Sequence, residues 1–140
     1  MKSSTIHSIF AAAVTLALTA CAGNTEQESV AARNDAIDDY VKVAELKEVD
    51  QIRIRRQLHH KVITEHYIII FDDRVPYLAT FQRRCRELNE PDVKPDVRHE
   101  SRKLRARFDT YRGCKIRTLH EVTSGQAEEL LDLGTGTINE

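Results

Sequence analysis

The spacing of apolar residues along the chain changes several times, and each change predicts a new structural element. From residue 35 to residue 46 the apolar side chains recur three and four positions apart, which is the spacing of one helical face. This pattern predicts a short helix that begins at Asn34 or Asp35. Its apolar face consists of Ile37, Tyr40, Val41 and Ala44.

Alternating and continuous apolar runs predict strands further along the chain. In residues 49–55 apolar and basic side chains alternate, which predicts a half-buried strand. Residues 67–71 are continuously apolar, and a second run at residues 77–81 follows after a polar segment at 72–76. We expect a hairpin with a five-residue turn, in which the first strand is buried on both faces at the centre of the sheet.

The last third of the chain predicts a second hairpin and a second helix. Residues 103–108 and 114–119 alternate, with residues 109–113 as the turn between them. Residues 86–101 contain two prolines and little apolar material, which predicts an exposed loop. A capping-box pattern at residues 123–126 precedes a short helix that Gly134 is expected to end. This helix carries Leu130, Leu131 and Leu133.

Together these elements predict an α+β fold with a small antiparallel sheet of about five strands and a short helix at each end. At 140 residues, with 41% hydrophobic and 31% charged residues, the chain has room for one small domain. We place this domain at residues 35–135 and expect residues 136–140 to be a frayed tail.

The N-terminus has the features of an export signal. Lys2 supplies a positive charge, and residues 9–18 form a ten-residue apolar run. This run is too short for a transmembrane helix, which needs roughly 20 apolar residues. We therefore expect residues 1–20 to be a signal peptide that is removed.

The motif Leu-Thr-Ala-Cys at residues 18–21 resembles the lipobox of bacterial lipoproteins, in which the cysteine is acylated and becomes the first residue of the mature chain. Several acyl chains form a stable anchor, whereas one chain alone binds a membrane weakly. Cys21 is therefore the expected lipidation site. An ordinary secretory signal with a chance cysteine, or an apolar cytosolic helix, are the alternatives.

The residues after Cys21 bear on location and on the start of the domain. Ala22 follows the cysteine, where an aspartate would favour the inner membrane by analogy with enterobacterial sorting. We therefore expect an outer-membrane anchor with the domain in the periplasm; an inner-membrane anchor or a surface-exposed domain are the alternatives. Residues 22–34 are mostly small and polar, which predicts a flexible tether.

Two cysteines remain once Cys21 is set aside. Cys85 and Cys114 form an even pair in a chain with an export signal, and such a pair favours a disulfide in an oxidising compartment. The bridge would close a loop of about 30 residues and contribute roughly 3–4 kcal/mol. Two free buried thiols or a redox pair are the alternatives, although the C-x-x-C spacing of redox pairs is missing.

Charge is distributed unevenly along a chain whose net charge is only −1. Residues 22–50 carry eight acids and three bases, residues 51–117 carry nine acids and seventeen bases, and residues 118–140 carry five acids and no base. A basic middle segment therefore lies between acidic ends.

The bases of the middle segment alternate with apolar residues on three predicted strands. Side chains two residues apart share a face of a strand, so strands of one sheet would line one side of it with cations. Like charges opposite one another destabilise a sheet, so we expect solvent, the acidic ends or an anionic partner to offset them. The residues are Arg53, Arg55, Lys103, Arg105, Arg107, Lys115 and Arg117.

The exported location limits the partners of such a face. They would be anionic lipid, lipopolysaccharide, cell-wall carboxylates or an acidic protein. Nucleic acid is not expected, because the location is wrong and no nucleic-acid-binding motif is present.

The sequence contains no recognisable catalytic, cofactor or metal motif. The serines of the mature chain do not lie in a G-x-S-x-G elbow. His59, His60 and His66 lack the spacing of a metal site and are interpreted as polar residues at a hairpin edge. The polar triplet at residues 99–101 is interpreted as solvated loop. We therefore expect neither an enzyme nor a cofactor or metal.

Several short motifs occur together: the lipobox, Tyr-Leu at residues 77–78 ahead of Cys85, Arg-Phe-Asp at 107–109, Arg-Gly-Cys-Lys-Ile at 112–116, and Glu-Leu-Leu-Asp-Leu-Gly at 129–134. In this combination the chain resembles a family of small proteobacterial lipoproteins known only as a domain of unknown function. The resemblance covers about residues 35–135. It implies an exported, lipid-anchored domain with a bridge between two cysteines, and it implies no activity.

These observations predict a non-enzymatic envelope lipoprotein with a basic sheet face for an anionic partner. One alternative is a small periplasmic enzyme or thiol redox helper that uses Cys85 and Cys114. Another is a structural envelope protein whose acidic ends cover the basic face. The sequence does not predict an oligomeric state.

Overall fold

The computed structural model describes residues 22–55, 58–89 and 102–135. The predicted signal peptide, Cys21, the tail and most of the predicted loop, including residues 99–101, lie outside these residues. Within them the chain forms two helices, a five-stranded antiparallel sheet and a separate two-stranded sheet, which confirms the predicted α+β class. The elements are α1 (Ala22–Val43), β1 (Gln51–Arg53), β2 (Leu58–Thr64), β3 (Tyr67–Asp72), β4 (Val75–Phe81), a 3-10 turn (Arg86–Asn89), β5 (Lys103–Arg105), β6 (Thr110–Tyr111), β7 (Cys114–Glu121) and α2 (Ser124–Thr135).

The central hairpin of the five-stranded sheet is β3–β4. The strand order is β2-β3-β4-β7-β6, so β3 lies inside the sheet, and Ile68, Ile69 and Ile70 are completely buried, as predicted. The turn is shorter than the expected five residues, because β3 continues to Asp72 and pairs there with Val75. Asp73 and Arg74 alone form the turn.

Strand β2 is an element that the sequence pattern did not reveal. It pairs with β3 along the edge of the sheet, from Leu58 opposite Asp72 to Thr64 opposite Tyr67. Its burial does not alternate cleanly, because an edge strand with a bulge near Val62 contacts the core on fewer positions. The expectation that His59 and His60 lie at a hairpin edge is consistent with this strand.

The prediction of the second hairpin is wrong about which strands pair. Strand β5 does not pair with β7 but leaves the five-stranded sheet and pairs with β1, with Ile52 opposite Leu104. The short hairpin β6–β7 takes its place and turns at Arg112 and Gly113, both of which have a positive φ. Alternation predicts which face of a strand is buried but not which strand pairs with it, so the pattern could not distinguish these arrangements.

The five-stranded sheet is buried on both faces, and this arrangement divides the domain into layers. On one face the β1–β5 pair, called the outer sheet below, packs Ile52 and Leu104 against Ile68 and Ile70. On the other face α1 and α2, called the helical layer, pack against the opposite side of β3 and β4. The helical cluster contains Ile37 and Leu130 together with Ile63, Tyr67, Ile69 and Leu78.

Helix α1 begins well before the predicted start, so residues 22–34 are helical and not a flexible tether. The segment contains no proline after Cys21 and includes alanine, glutamate and glutamine, which favour a helix. Contacts also fix its C-terminal part. The Arg33 side chain donates a hydrogen bond to the Gly134 carbonyl at 2.9 Å, and Thr64 donates one to the Asn34 side chain at 2.8 Å.

Helix α2 begins with the predicted capping box, but it ends later than predicted. The Thr123 backbone N–H donates to Gln126 Oε1 at 2.9 Å, and the Gln126 N–H donates to Thr123 Oγ1 at 3.2 Å. Gly134 does not stop the helix, which continues to Thr135. The glycine is required by a close approach instead, because a Cβ there would lie 2.3 Å from Ile63 Cγ2 and 2.9 Å from its carbonyl oxygen.

Candidate anion-binding surface

Four basic residues converge on one groove of about 410 Å³ at the end of the outer sheet. Arg53 and Lys103 lie directly opposite one another on β1 and β5, because Ile52 and Leu104 turn the other face inward. Ile54 forms the floor between them. We call the cationic residues that line this cavity, Arg53, Arg55, Arg102 and Lys103, the basic groove.

Backbone hydrogen bonds hold the groove in shape. The Ile54 N–H donates to the Arg102 carbonyl at 2.7 Å, which joins the two chain segments just beyond the last strand pair. The Arg55 N–H donates to the Asp72 carboxylate at 3.0 Å, and Asp72 is itself buried. Asp72 therefore anchors the outer sheet to the end of β3.

The four groove side chains form no ion pair with any residue that the structure describes. Arg53 and Lys103 are nevertheless cross-strand neighbours, a pairing of like charges that destabilises an antiparallel ladder. A bound anion would relieve this repulsion. Guanidinium groups are suited to it, because their planar donors match carboxylate and phosphate oxygens in pairs.

The predicted basic face is not one surface, and this part of the prediction needs correction. Lys115 and Arg117 lie on β7, in the five-stranded sheet, and flank Ile116, which packs under the outer sheet. Their side chains therefore belong to the opposite face of β7. In agreement, the Arg117 charge acts on His66 and Tyr67, and Tyr67 belongs to the helical cluster.

Two further members of the predicted face are already paired with acids. Arg105 binds the buried Asp109 carboxylate at 3.1 Å, and Arg107 lies 3.4 Å from Glu48. The structure thus brings together Arg53, Arg55 and Lys103 from the predicted set and adds Arg102. Sequence alternation did not identify Arg102, because it precedes the alternating run at residues 103–108.

The two helices of the acidic ends, α1 and α2, form the helical layer, on the side of the five-stranded sheet away from the outer sheet. They therefore do not cover the basic groove within the described residues, although Glu48 reaches Arg107. The segregation of charge seen along the sequence is thus also a segregation in space. The exposed acids of the two helices include Asp39 on α1 and Glu128, Glu129 and Asp132 on α2.

The predicted disulfide joins Cys85 and Cys114, with a Cα–Cα distance of 5.8 Å. Both cysteines are completely buried. Glu87 Oε2 lies 3.2 Å from Cys114 Sγ, so two sulfurs and a carboxylate form a small cluster of potential metal ligands. Because the sulfurs are bonded to each other, neither is a thiolate that could bind a metal or attack a substrate.

Two histidines of the β2 region, His60 and His66, have a lowered pKa. Burial lowers the pKa of His60, and the nearby Arg112 cation lowers it further. Burial and Arg84 lower the pKa of His66 in the same way. Tyr111, whose pKa burial raises to about 12, stays protonated and lies 2.8 Å from His60 Nδ1 through its hydroxyl. His60 and Tyr111 are therefore structural partners of each other.

Among the described residues, no helix has the length and apolar character needed to span a membrane. The resemblance to small lipoproteins of unknown function stays a prediction. Comparison with known proteins finds no matching family model, no similar curated protein and no similar solved structure.

Proposed function

We propose that the chain is a lipid-anchored, non-enzymatic protein of the bacterial envelope, which binds an anionic envelope component in the basic groove. The observation that carries this proposal is the convergence of four cations on one groove without an acidic partner among the described residues. Repulsion within a cluster of unpaired like charges lowers the stability of the free protein. A bound anion removes this repulsion.

The position of the groove keeps it accessible in an anchored chain. Helix α1 contacts the sheet at Thr64 through Asn34, near the middle of the helix and next to the β2–β3 turn. The groove lies by Asp72, next to the β3–β4 turn, which is at the opposite end of the same strands. Six residues of strand separate the two ends by roughly 20 Å. An anchor ahead of α1 therefore does not block the groove.

The binding experiment uses the mature chain with Cys21→Ser, exported through a signal that does not lead to acylation. Cell-wall fragments and anionic vesicles are the probes, at low and high salt, with neutral vesicles as a reference. Binding is expected at low salt and should weaken strongly as salt screens the charges. Salt-insensitive binding, or equal binding to neutral vesicles, would contradict the proposal.

The matched variants are Arg53→Gln with Lys103→Gln, and Lys115→Gln with Arg117→Gln. Each pair removes one arginine and one lysine, so both change the net charge equally. The groove pair should lose about tenfold or more in affinity, since each charge-assisted hydrogen bond contributes about 1.5–3 kcal/mol. The β7 pair should lose little. Equal losses in the two pairs would show that net charge, and not the groove, causes binding.

The anchor is tested separately by labelling cells with a palmitate analogue and fractionating their membranes. The wild-type chain is expected to carry label and to sediment with the outer membrane, whereas Cys21→Ser should carry none, because no other residue becomes the acylated N-terminus. Ala22→Asp should keep its label and move to the inner membrane. An unlabelled wild-type chain in the soluble fraction would refute the lipoprotein assignment.

A further inference from the structure

Phe108 is an exposed aromatic residue on the basic side of the molecule. Its side chain is 74% exposed, more than is usual for phenylalanine. The other large exposed hydrophobic residues among those described are Val43, Val62 and Val75, and they lie on other elements. The position of Phe108 therefore needs an explanation of its own.

The turn that carries Phe108 is held rigidly. The Asp109 carboxylate accepts hydrogen bonds from the Arg105 backbone N–H at 2.7 Å and from its guanidinium at 3.1 Å. On the other side the Arg107 N–H donates to the Ile116 carbonyl at 2.9 Å, although Arg107 has a φ of 67°, which disfavours residues other than glycine. The exposure of Phe108 is thus a property of the fold and not of a loose loop.

One cation lies over the exposed ring. The Arg105 guanidinium lies 5.7 Å from the Phe108 ring centroid, and Arg107 precedes it in the turn. Arg105 also shares the solvent-facing side of the outer sheet with Arg53 and Lys103. One surface therefore carries an apolar tip at one end of the outer sheet and the cations of the basic groove at the other end, with Arg105 between them paired to Asp109.

We propose that this surface docks on an anionic lipid bilayer, with Phe108 inserted at the headgroup boundary and the groove cations on lipid phosphates. The proposal deepens the proposed function and rests on it, since it names the anionic component as a bilayer surface. Membrane-surface proteins combine basic residues with phenylalanine or tryptophan in this way. Long arginine side chains can reach the phosphates while the ring enters the apolar layer.

A bilayer fits this surface better than an acidic protein does. Protein interfaces bury a core of several apolar or aromatic residues on each partner. Phe108 lies beyond β5, and Val75 lies at the β3–β4 turn opposite Asp72; these two separate exposed side chains do not form such a core. A bilayer supplies the apolar medium itself, so one inserted aromatic ring together with several cations is sufficient for docking.

The test exploits the absence of tryptophan from the chain. Phe108→Trp in the unacylated mature chain gives a single fluorescent reporter, with Val43→Trp as the control on the helical layer. With vesicles that contain phosphatidylglycerol, the reporter at position 108 should shift to the blue and be quenched by lipids brominated in their acyl chains. The control should show neither effect. A reporter at position 108 that stays solvent-exposed on bound vesicles overturns the proposal.

A second variant measures the contribution of the ring. Phe108→Ser should weaken binding to anionic vesicles about tenfold or more, whereas Val43→Ser should leave it unchanged. Inorganic polyphosphate serves as a soluble anion without an apolar phase, and Phe108→Ser should bind it as the wild type does. Equal vesicle binding by both serine variants overturns the membrane proposal. If polyphosphate binding persists in that case, the proposed anion-binding function stands; if no anion binds at all, both fail.

Self-association is the remaining outcome that the reporter distinguishes. The acidic helical layer of a second copy could occupy the basic surface, in which case the blue shift would occur without vesicles and depend on protein concentration. Sedimentation at low salt would then show oligomers. That result overturns docking on a bilayer.

Discussion

Removal of the Cys85–Cys114 disulfide is expected to lower the free energy of unfolding by about 3–4 kcal/mol. The bridge joins residues 29 apart in sequence. It connects the segment just after β4 to the first residue of β7, so without it the unfolded chain gains the full freedom of that loop. A small domain has a total stability of about 5–15 kcal/mol, of which this is a large part.

Chemical denaturation of Cys85→Ala with Cys114→Ala, compared with the wild type, measures this effect. Cys21→Ser serves as the control, because it also removes a cysteine but leaves the bridge intact, so unfolding should be unchanged. Both bridge cysteines are completely buried, so a dithiol reductant should react slowly with the native protein. Fast reduction together with a stability loss below about 1 kcal/mol would favour the thiol redox alternative instead.

Ile69→Ala is expected to lower the free energy of unfolding by about 2–5 kcal/mol. Ile69 is completely buried on β3, and its backbone pairs with Lys61 on one side and Leu78 on the other. Its side chain belongs to the cluster under the helical layer together with Ile37 and Leu130. Truncation would leave a cavity that the helices cannot fill without losing their contacts with the sheet.

Val62→Ala is the matched control for this prediction. Val62 also carries a β-branched side chain and lies on the neighbouring strand β2, but it is 38% exposed. Its truncation should cost less than about 1 kcal/mol, because little apolar surface is lost from the core. Equal losses at the two positions, measured by equilibrium denaturation, would mean that β3 is not buried on both faces.

The sequence pattern correctly predicted the elements that depend on contacts between neighbouring residues. The apolar run in β3, the strand β4 that follows it and the capping box at Thr123 and Gln126 are where the sequence placed them. The disulfide could also be predicted, since the two cysteines other than Cys21 leave a single pairing in a chain with a predicted export signal. In each case the determining interactions involve neighbouring residues or one possible partner.

The composition of the candidate site, in contrast, could be predicted only in part. Alternation correctly predicted that Arg53 and Lys103 face solvent, but it assumed that β1, β5 and β7 share one sheet. The pairing of Ile52 with Leu104 separates the outer sheet from β7, so Lys115 and Arg117 lie on the other side. Whether a strand pairs with one neighbour or another depends on the burial of contacts distant in sequence, which periodicity does not encode.

The sequence by itself determined the buried positions of β1, β3 and β5 and the location of a basic segment between acidic ends. It also predicts an N-terminal export signal and a lipobox. The tertiary structure alone decided that the two helices of the acidic ends form one layer and that the groove lies in another, because long-range packing on both faces of β3 sets those positions. It also decided the role of Gly134, which the sequence marked as the end of a helix. That glycine is needed because Ile63 packs against it, a contact between residues far apart in the chain.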